Sequence, residues 1–244
     1  MSPGRRRVLL VAYYFPPVAG GGVSRTLKAL RALDGAGFDT WVLTVDGAAW
    51  AQDPALVERV PVRTRVLRVA NPDWGRVARR ARPVHSASGN PGGRGWLRRL
   101  LVPDLHLGWS LLAAPVAGGL AASGAVDLVY VSAPPYSAFA AGLAAGAAGV
   151  PWIADFRDGW TCCPTRVDLS PRRVAFERRL EDRVLWSADR VLFASNGPLE
   201  RCRARVPGLA ERSQLLLSGY DPEEFAGARG LRPPAGRLEL IHAG

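Results

Sequence analysis

"RVLLVAYYFPPVAGGGVSRTLKAL", Arg7 to Leu30, is the stretch on which the fold turns. A short apolar run meets two prolines, then Gly20, Gly21 and Gly22 in a row, then a segment in which Val23, Leu27 and Leu30 recur with helical spacing. The apolar run reads as a strand over 7–13 and the segment over 23–34 as an amphipathic helix. Between them lies a backbone without side chains at three successive positions, open to close approach by a ligand. The amino end of the following helix carries partial positive charge, which suits an anion.

The same alternation repeats outward along the chain. Strands are predicted over 39–45 ("DTWVLTV"), 64–70, 127–133, 150–156, 189–195 and 213–219, with helices over 136–149, 171–187 and 197–205. Strands alternating with helices predict an α/β fold, a doubly wound, Rossmann-like parallel sheet covered on both faces. Right-handed crossovers then bring the carboxyl ends of all strands to one edge, where such folds bind ligands. The glycine loop, "SAPPYS" (132–137), "DFRDGW" (155–160) and "ASNG" (194–197) converge on that edge. The basic, glycine-rich stretch 71–104 reads as an irregular excursion, 226–237 as a linker, and 238–244 ("LELIHAG") as a further strand.

Composition narrows the classes. The chain has 244 residues, 48% of them hydrophobic, and a net charge of +11 that comes almost wholly from arginine, Lys28 being the only lysine. Arg76, Arg79, Arg80, Arg82, Arg94, Arg98 and Arg99 follow one another with no acid between them, beside Trp74, Trp96, Leu97, Leu100 and Leu101. No nucleic-acid module accompanies this cluster, so it reads as a solvated basic face or as a peripheral contact with an anionic membrane. Leu105–Val126 carries no formal charge and is long enough to span a bilayer, but its glycines, Pro115 and many alanines favour a buried helix with a loop. Cys162, Cys163 and Cys202 form no disulfide framework, and the amino terminus has no signal-peptide pattern, which together point to the cytoplasm. His85, His106 and His242 are scattered, so neither a metal nor a cofactor is expected.

Three readings of Gly20–Gly22 compete: a flexible turn, a dinucleotide fingerprint, and a diphosphate cradle. The fingerprint finds an acid in Asp46 near the end of the second strand, but Arg25 stands where its third glycine belongs. In the cradle, Arg25 adds a positive charge. Asp155, Arg157 and Asp158 follow an apolar strand directly, beside Trp160, and form either a solvated loop or a site in which Arg157 pairs with a flanking carboxylate and fixes it.

Strand, "YYFPPVAGGG" and helix together resemble the N-terminal domain of bacterial family 4 glycosyltransferases, retaining enzymes of the GT-B fold. "LVYVSAPPYSAFAAGLAAG" (128–146), "GVPWIADFRDGW" (149–160) and "SGYDPEEF" (218–225) fit the same family in order, and "LIHAG" (240–244) resembles the opening strand of its second domain. "PWIADFRDGW" is the most specific of these pieces. The resemblance covers essentially the whole chain, roughly the first half of a typical member. It implies an acceptor-side domain over 1–225, an interdomain linker over 226–237, and the start of a donor-binding domain over 238–244.

The implied reaction is transfer of a sugar from a nucleotide-sugar, with retention, to a glycan, a lipid-linked acceptor or a small molecule, in the cytoplasm or at the inner face of the membrane. By the same resemblance Gly20, Gly21, Gly22 and Arg25 bind the donor diphosphate. Pro135, Tyr136, Ser137, Asp155, Arg157, Asp158 and Asn196 line the acceptor-side cleft, and Ser218, Gly219, Tyr220 and Asp221 form the interdomain segment. No catalytic residue is assigned. The histidine that many relatives carry after the fourth or fifth strand is replaced here by Ser132-Ala133-Pro134 and Asp155-Phe156-Arg157. A non-catalytic domain pairing with a separate polypeptide, and a nucleotide-dependent oxidoreductase, are the alternatives.

Overall fold

The strand predicted at 7–13 is β1 (Arg7–Ala12), in which Val8, Leu9, Leu10 and Val11 are completely buried. It can be apolar on both faces because helices cover it on both. The computed structural model describes residues 5–47, 51–72, 101–162 and 170–220. Within them follow α1 (Gly21–Gly35), β2 (Asp39–Asp46), a short α2 (Ala55–Glu58) and β3 (Arg65–Ala70). Next come α3 (Leu107–Ala122), β4 (Leu128–Ala133), α4 (Phe139–Ala147) and β5 (Trp152–Phe156). The series ends with α5 (Pro171–Ser187), β6 (Arg190–Phe193), α6 (Asn196–Arg205) and β7 (Ser213–Leu215).

The strands form one seven-stranded sheet in the order β3-β2-β1-β4-β5-β6-β7, every pairing parallel. Val8 pairs with Thr40 of β2 on one side and Leu128 of β4 on the other. The chain steps one way along the sheet from β1 to β3 and the other way from β4 to β7. Right-handed crossovers therefore put α1 and α2 on one face and α3, α4, α5 and α6 on the other. This is the doubly wound, Rossmann-like architecture expected from the alternation.

Small residues make the second layer thin. On α3, Trp109, Ala113, Ala117 and Ala121 recur every four residues and are buried. A Cβ added at Gly118 would lie 3.3 Å from Ala144 Cβ, so α3 and α4 meet with almost no side chain between them. A Cβ at Gly142 would come within 2.2 Å of the Trp152 ring, so α4 is small where β5 supplies its largest side chain. The uncharged stretch 105–126 is therefore a packed helix with its loop, and among the described residues no helix is long and apolar enough to cross a membrane.

Two boundaries differ from the pattern. Strand β7 ends at Leu215, the Leu216 amide still donates to Phe193 O at 2.8 Å, and side chains of α1 hold the carbonyls of Leu216 and Gly219. Helix α1 begins at Gly21, two residues before its first apolar position, because Gly20 caps it with φ 139°, a backbone region that favours glycine. The expectations for the basic cluster within 73–100, for the linker and for the strand at 238–244 lie outside the described residues.

Candidate functional site

The strand order reverses between β1 and β4, and the carboxyl edge at such a switch point is where doubly wound folds leave a crevice for ligands. Into it points the amino end of α1, which has no side-chain cap and no acidic residue in its first turn. What stands there is a cation. A Cβ built on Gly22 would fall 1.9 Å from Nη1 of Arg157, so the glycine is the space that the guanidinium occupies.

Arg157 is the first residue after β5. Its amide donates to Ala133 O at 2.9 Å, tying the end of β5 to that of β4. Its Nη2 donates to the Pro134 carbonyl, and the guanidinium carbon lies 5.9 Å from the Tyr14 ring centroid. Nε is buried without a hydrogen-bond partner, and no ion pair to Arg157 is found among the described residues. Burial pushes its pKa down, against the opposing influence of Asp155 and Asp158. Burial likewise pushes the Tyr14 hydroxyl up, with the Arg157 charge opposing. A desolvated cation set against the positive end of a helix is unfavourable by itself and becomes favourable when an anion sits between them.

Arg25 is not at this opening. It turns inward to Asp155, with Nη2 to Oδ1 at 2.7 Å and Nε to Oδ2 at 3.0 Å, and the two side chains are 8% and 0% exposed. Ser132 Oγ donates a further bond to Asp155 at 3.2 Å. The remaining Arg25 nitrogen, Nη1, donates to Leu216 O at 2.7 Å and to Ser218 Oγ at 3.3 Å, and Lys28 donates to Gly219 O at 2.5 Å. Of the two carboxylates that flank Arg157, Asp155 is thus taken by Arg25, and the guanidinium beside Gly22 is that of Arg157 and not of Arg25. The reason is reach: Arg25, one turn into α1, faces the sheet, whereas the end of β5 lies beside the helix terminus.

The other predicted positions divide. Tyr136 is buried, donates to Gly159 O at 2.8 Å, and stacks on Trp160 with ring centroids 4.9 Å apart. Ser137 is buried too, and its amide and hydroxyl both donate to Asp104, at 2.9 and 2.7 Å. Tyr136 and Ser137 therefore brace the loop after β4, and Pro135 is buried beside them. Asp158 and Asn196 are exposed at the carboxyl edge. Ser218 and Gly219 are held by α1, Tyr220 is 72% exposed, and Asp221 lies outside the described residues.

Two glutamates passed unremarked in the sequence. Glu177 accepts from Trp160 Nε1 at 2.9 Å and from Arg173 at 2.7 Å. Glu181 accepts from the Thr161 hydroxyl and from Arg205, each at 2.6 Å. Their i, i+4 spacing on α5 was the available signal, since it puts both acids on one face beside "DFRDGWT". Among the described residues no group of histidine, cysteine and carboxylate side chains has the arrangement of a metal site.

A doubly wound parallel sheet with a helix amino end and a cation at its switch point is of the Rossmann-like α/β class. The profile of the glycosyl transferase 4-like domain family matches residues 20–217, and the chain belongs to that family. No curated protein matches it. Among solved structures it is similar to Arabidopsis thaliana UGT89C1 complexed with UDP, at 14% identity and a TM-score of 0.51, over 89% of this chain and 49% of that one. A putative UDP-N-acetylglucosamine 2-epimerase from Listeria monocytogenes is similar at 13% identity and a TM-score of 0.50, over 86% and 45%. Acinetobacter baumannii MurG matches at 18% identity and a TM-score of 0.42, over 79% and 42%. The chain thus spans less than half the length of each of these proteins, and its fold is one half of the GT-B type. Family membership favours the glycosyltransferase over the oxidoreductase alternative.

Proposed function

We propose that the carboxyl edge of this sheet holds the diphosphate of a nucleotide-sugar donor, on the backbone of Gly20–Gly22 and the guanidinium of Arg157. The reaction is retaining transfer of the sugar to a glycan, a lipid-linked acceptor or a small molecule. One observation carries the reading: Arg157 fills the space left by Gly22 at a helix terminus that has no side-chain cap, with no ion-pair partner among the described residues. An uncompensated pair of positive ends calls for a multiply charged anion, and a leaving diphosphate is stabilised by such fixed donors as charge develops on it. Binding of UDP by a protein of similar fold supports a nucleoside diphosphate. The base, ribose and most of the sugar are assigned to a second domain.

Arg25 and Asp155 hold the scaffold of this site instead of touching the donor. Asp158 and Asn196, exposed at the same edge, are the residues proposed to meet the acceptor. In the protein completed by its second domain, Gly22→Val is expected to displace Arg157 and raise the KM for donor much more than that for acceptor. Donor kinetics equal to those of the parent would refute the assignment.

A further inference from the structure

Helix α5 presents an exposed face that mixes arginines with aromatic rings. Its buried face carries Glu177 and Glu181 beside Val184 and Leu185. Arg172, Phe176, Arg179, Arg183 and Trp186 fall on the opposite face, gathered there by the helical repeat. Phe176 is 49% and Trp186 57% exposed, and the three arginines are exposed with neighbouring Arg178. None of these four arginines has an ion-pair partner among the described residues. The acids of the helix are already engaged, Glu177 by Arg173 and Trp160, Glu181 and Asp182 by Arg205. The result is a straight stripe about 21 Å long, basic and aromatic together.

We propose that this face of α5 docks on an anionic lipid bilayer, with the guanidinium groups among the headgroup phosphates and the Phe176 and Trp186 rings in the interfacial layer. Charge complementarity fixes the sign of the partner, since nothing acidic is left on the face to balance it. The rings fix its kind. They lie about 15 Å apart along a straight helix, with Arg179 and Arg183 between them and Arg172 one turn beyond Phe176, so a flat interface meets all of them at once. A nucleic-acid backbone satisfies the arginines and leaves two half-exposed rings in water. On α3, in the same helical layer, Leu111 and Leu112 are also exposed, at 65% and 43%. Helix α5 follows β5, so its amino end lies at the edge that carries Arg157. Docking would bring that edge to the lipid surface. The inference does not rest on the diphosphate reading, and either can fail without the other.

The test is co-sedimentation of the 244-residue chain with vesicles of phosphatidylcholine alone and of phosphatidylcholine and phosphatidylglycerol in equal parts. Binding is expected on the anionic vesicles only, and added salt should weaken it. Combined Arg172→Gln, Arg179→Gln and Arg183→Gln is expected to lower the partition constant on the order of a hundredfold. Phe176→Ala with Trp186→Ala is expected to lower it about tenfold or more. All five positions are exposed, and circular dichroism verifies that each variant is folded. Equal binding to neutral vesicles, or retention by the folded arginine variant, overturns the proposal. So does binding lost only with Arg94→Gln, Arg98→Gln and Arg99→Gln, or a preference for single-stranded RNA over vesicles that depends on the same α5 arginines.

Discussion

Arg25 and Arg157 sit on either side of the same helix turn and have opposite consequences for stability. Arg25 neutralises a carboxylate with no solvent exposure, so Arg25→Ala leaves Asp155 charged and unpaired in the interior. Losing one partner of such a pair costs about 3–5 kcal/mol, and chemical denaturation should register a loss of that size. Arg157 has a buried Nε with no partner and a charge that burial disfavours. Arg157→Gln is therefore expected to leave stability unchanged or slightly raised while anion binding falls. A loss for Arg157→Gln as large as that for Arg25→Ala would make both residues scaffold and remove the cation from the proposed site. At Gly22 the sequence exposed the need for an absent side chain but not its cause. The run of three glycines suggested room for a ligand, whereas the atom nearest to a Cβ at Gly22 belongs to Arg157, which is 135 positions later in the chain.

At the scale of elements, helix α5 fastens the loop after β5. Glu181 alone accepts from the Thr161 amide, the Thr161 hydroxyl and Arg205. Glu181→Ala should cost about 3 kcal/mol or more and should speed amide exchange in residues 157–162 ahead of the remainder of the sheet. Uniform exchange across the molecule would place the role of Glu181 in global stability and not in the loop. The strands and helices themselves were legible because each carries a local pattern: short runs such as "RVLLVA" and "WIADF", bounded by turn residues, read as doubly covered strands, and α1 and α5 repeat with helical period. The partners were not legible. Which carboxylate Arg25 or Arg157 would meet depends on which strand end lies beside the first turn of α1, and that is set by strand order, not by neighbours in sequence. The bracing of Tyr136 and Ser137 was hidden for the same reason, since Gly159, Trp160 and Asp104 come to them from other loops.

For the whole molecule, the affinity that the proposed cradle can supply to a donor is small. A helix terminus contributes about 0.3–2 kcal/mol toward an anion and a charge-assisted bond from Arg157 about 1.5–3 kcal/mol. Even their full sum, about 5 kcal/mol, barely exceeds the roughly 4 kcal/mol of a millimolar complex, before ordering costs. The 244-residue chain is therefore expected to show no sugar transfer from uridine, guanosine or thymidine donors by itself. Titration of the isotopically labelled chain with pyrophosphate and with nucleoside diphosphates, followed by NMR, tests the central claim most directly. The prediction is millimolar binding, amide shifts centred on Gly20–Val23 and Arg157, and loss of those shifts in folded Arg157→Gln. Shifts centred elsewhere, micromolar affinity, or a titration that Arg157→Gln leaves unchanged would contradict it.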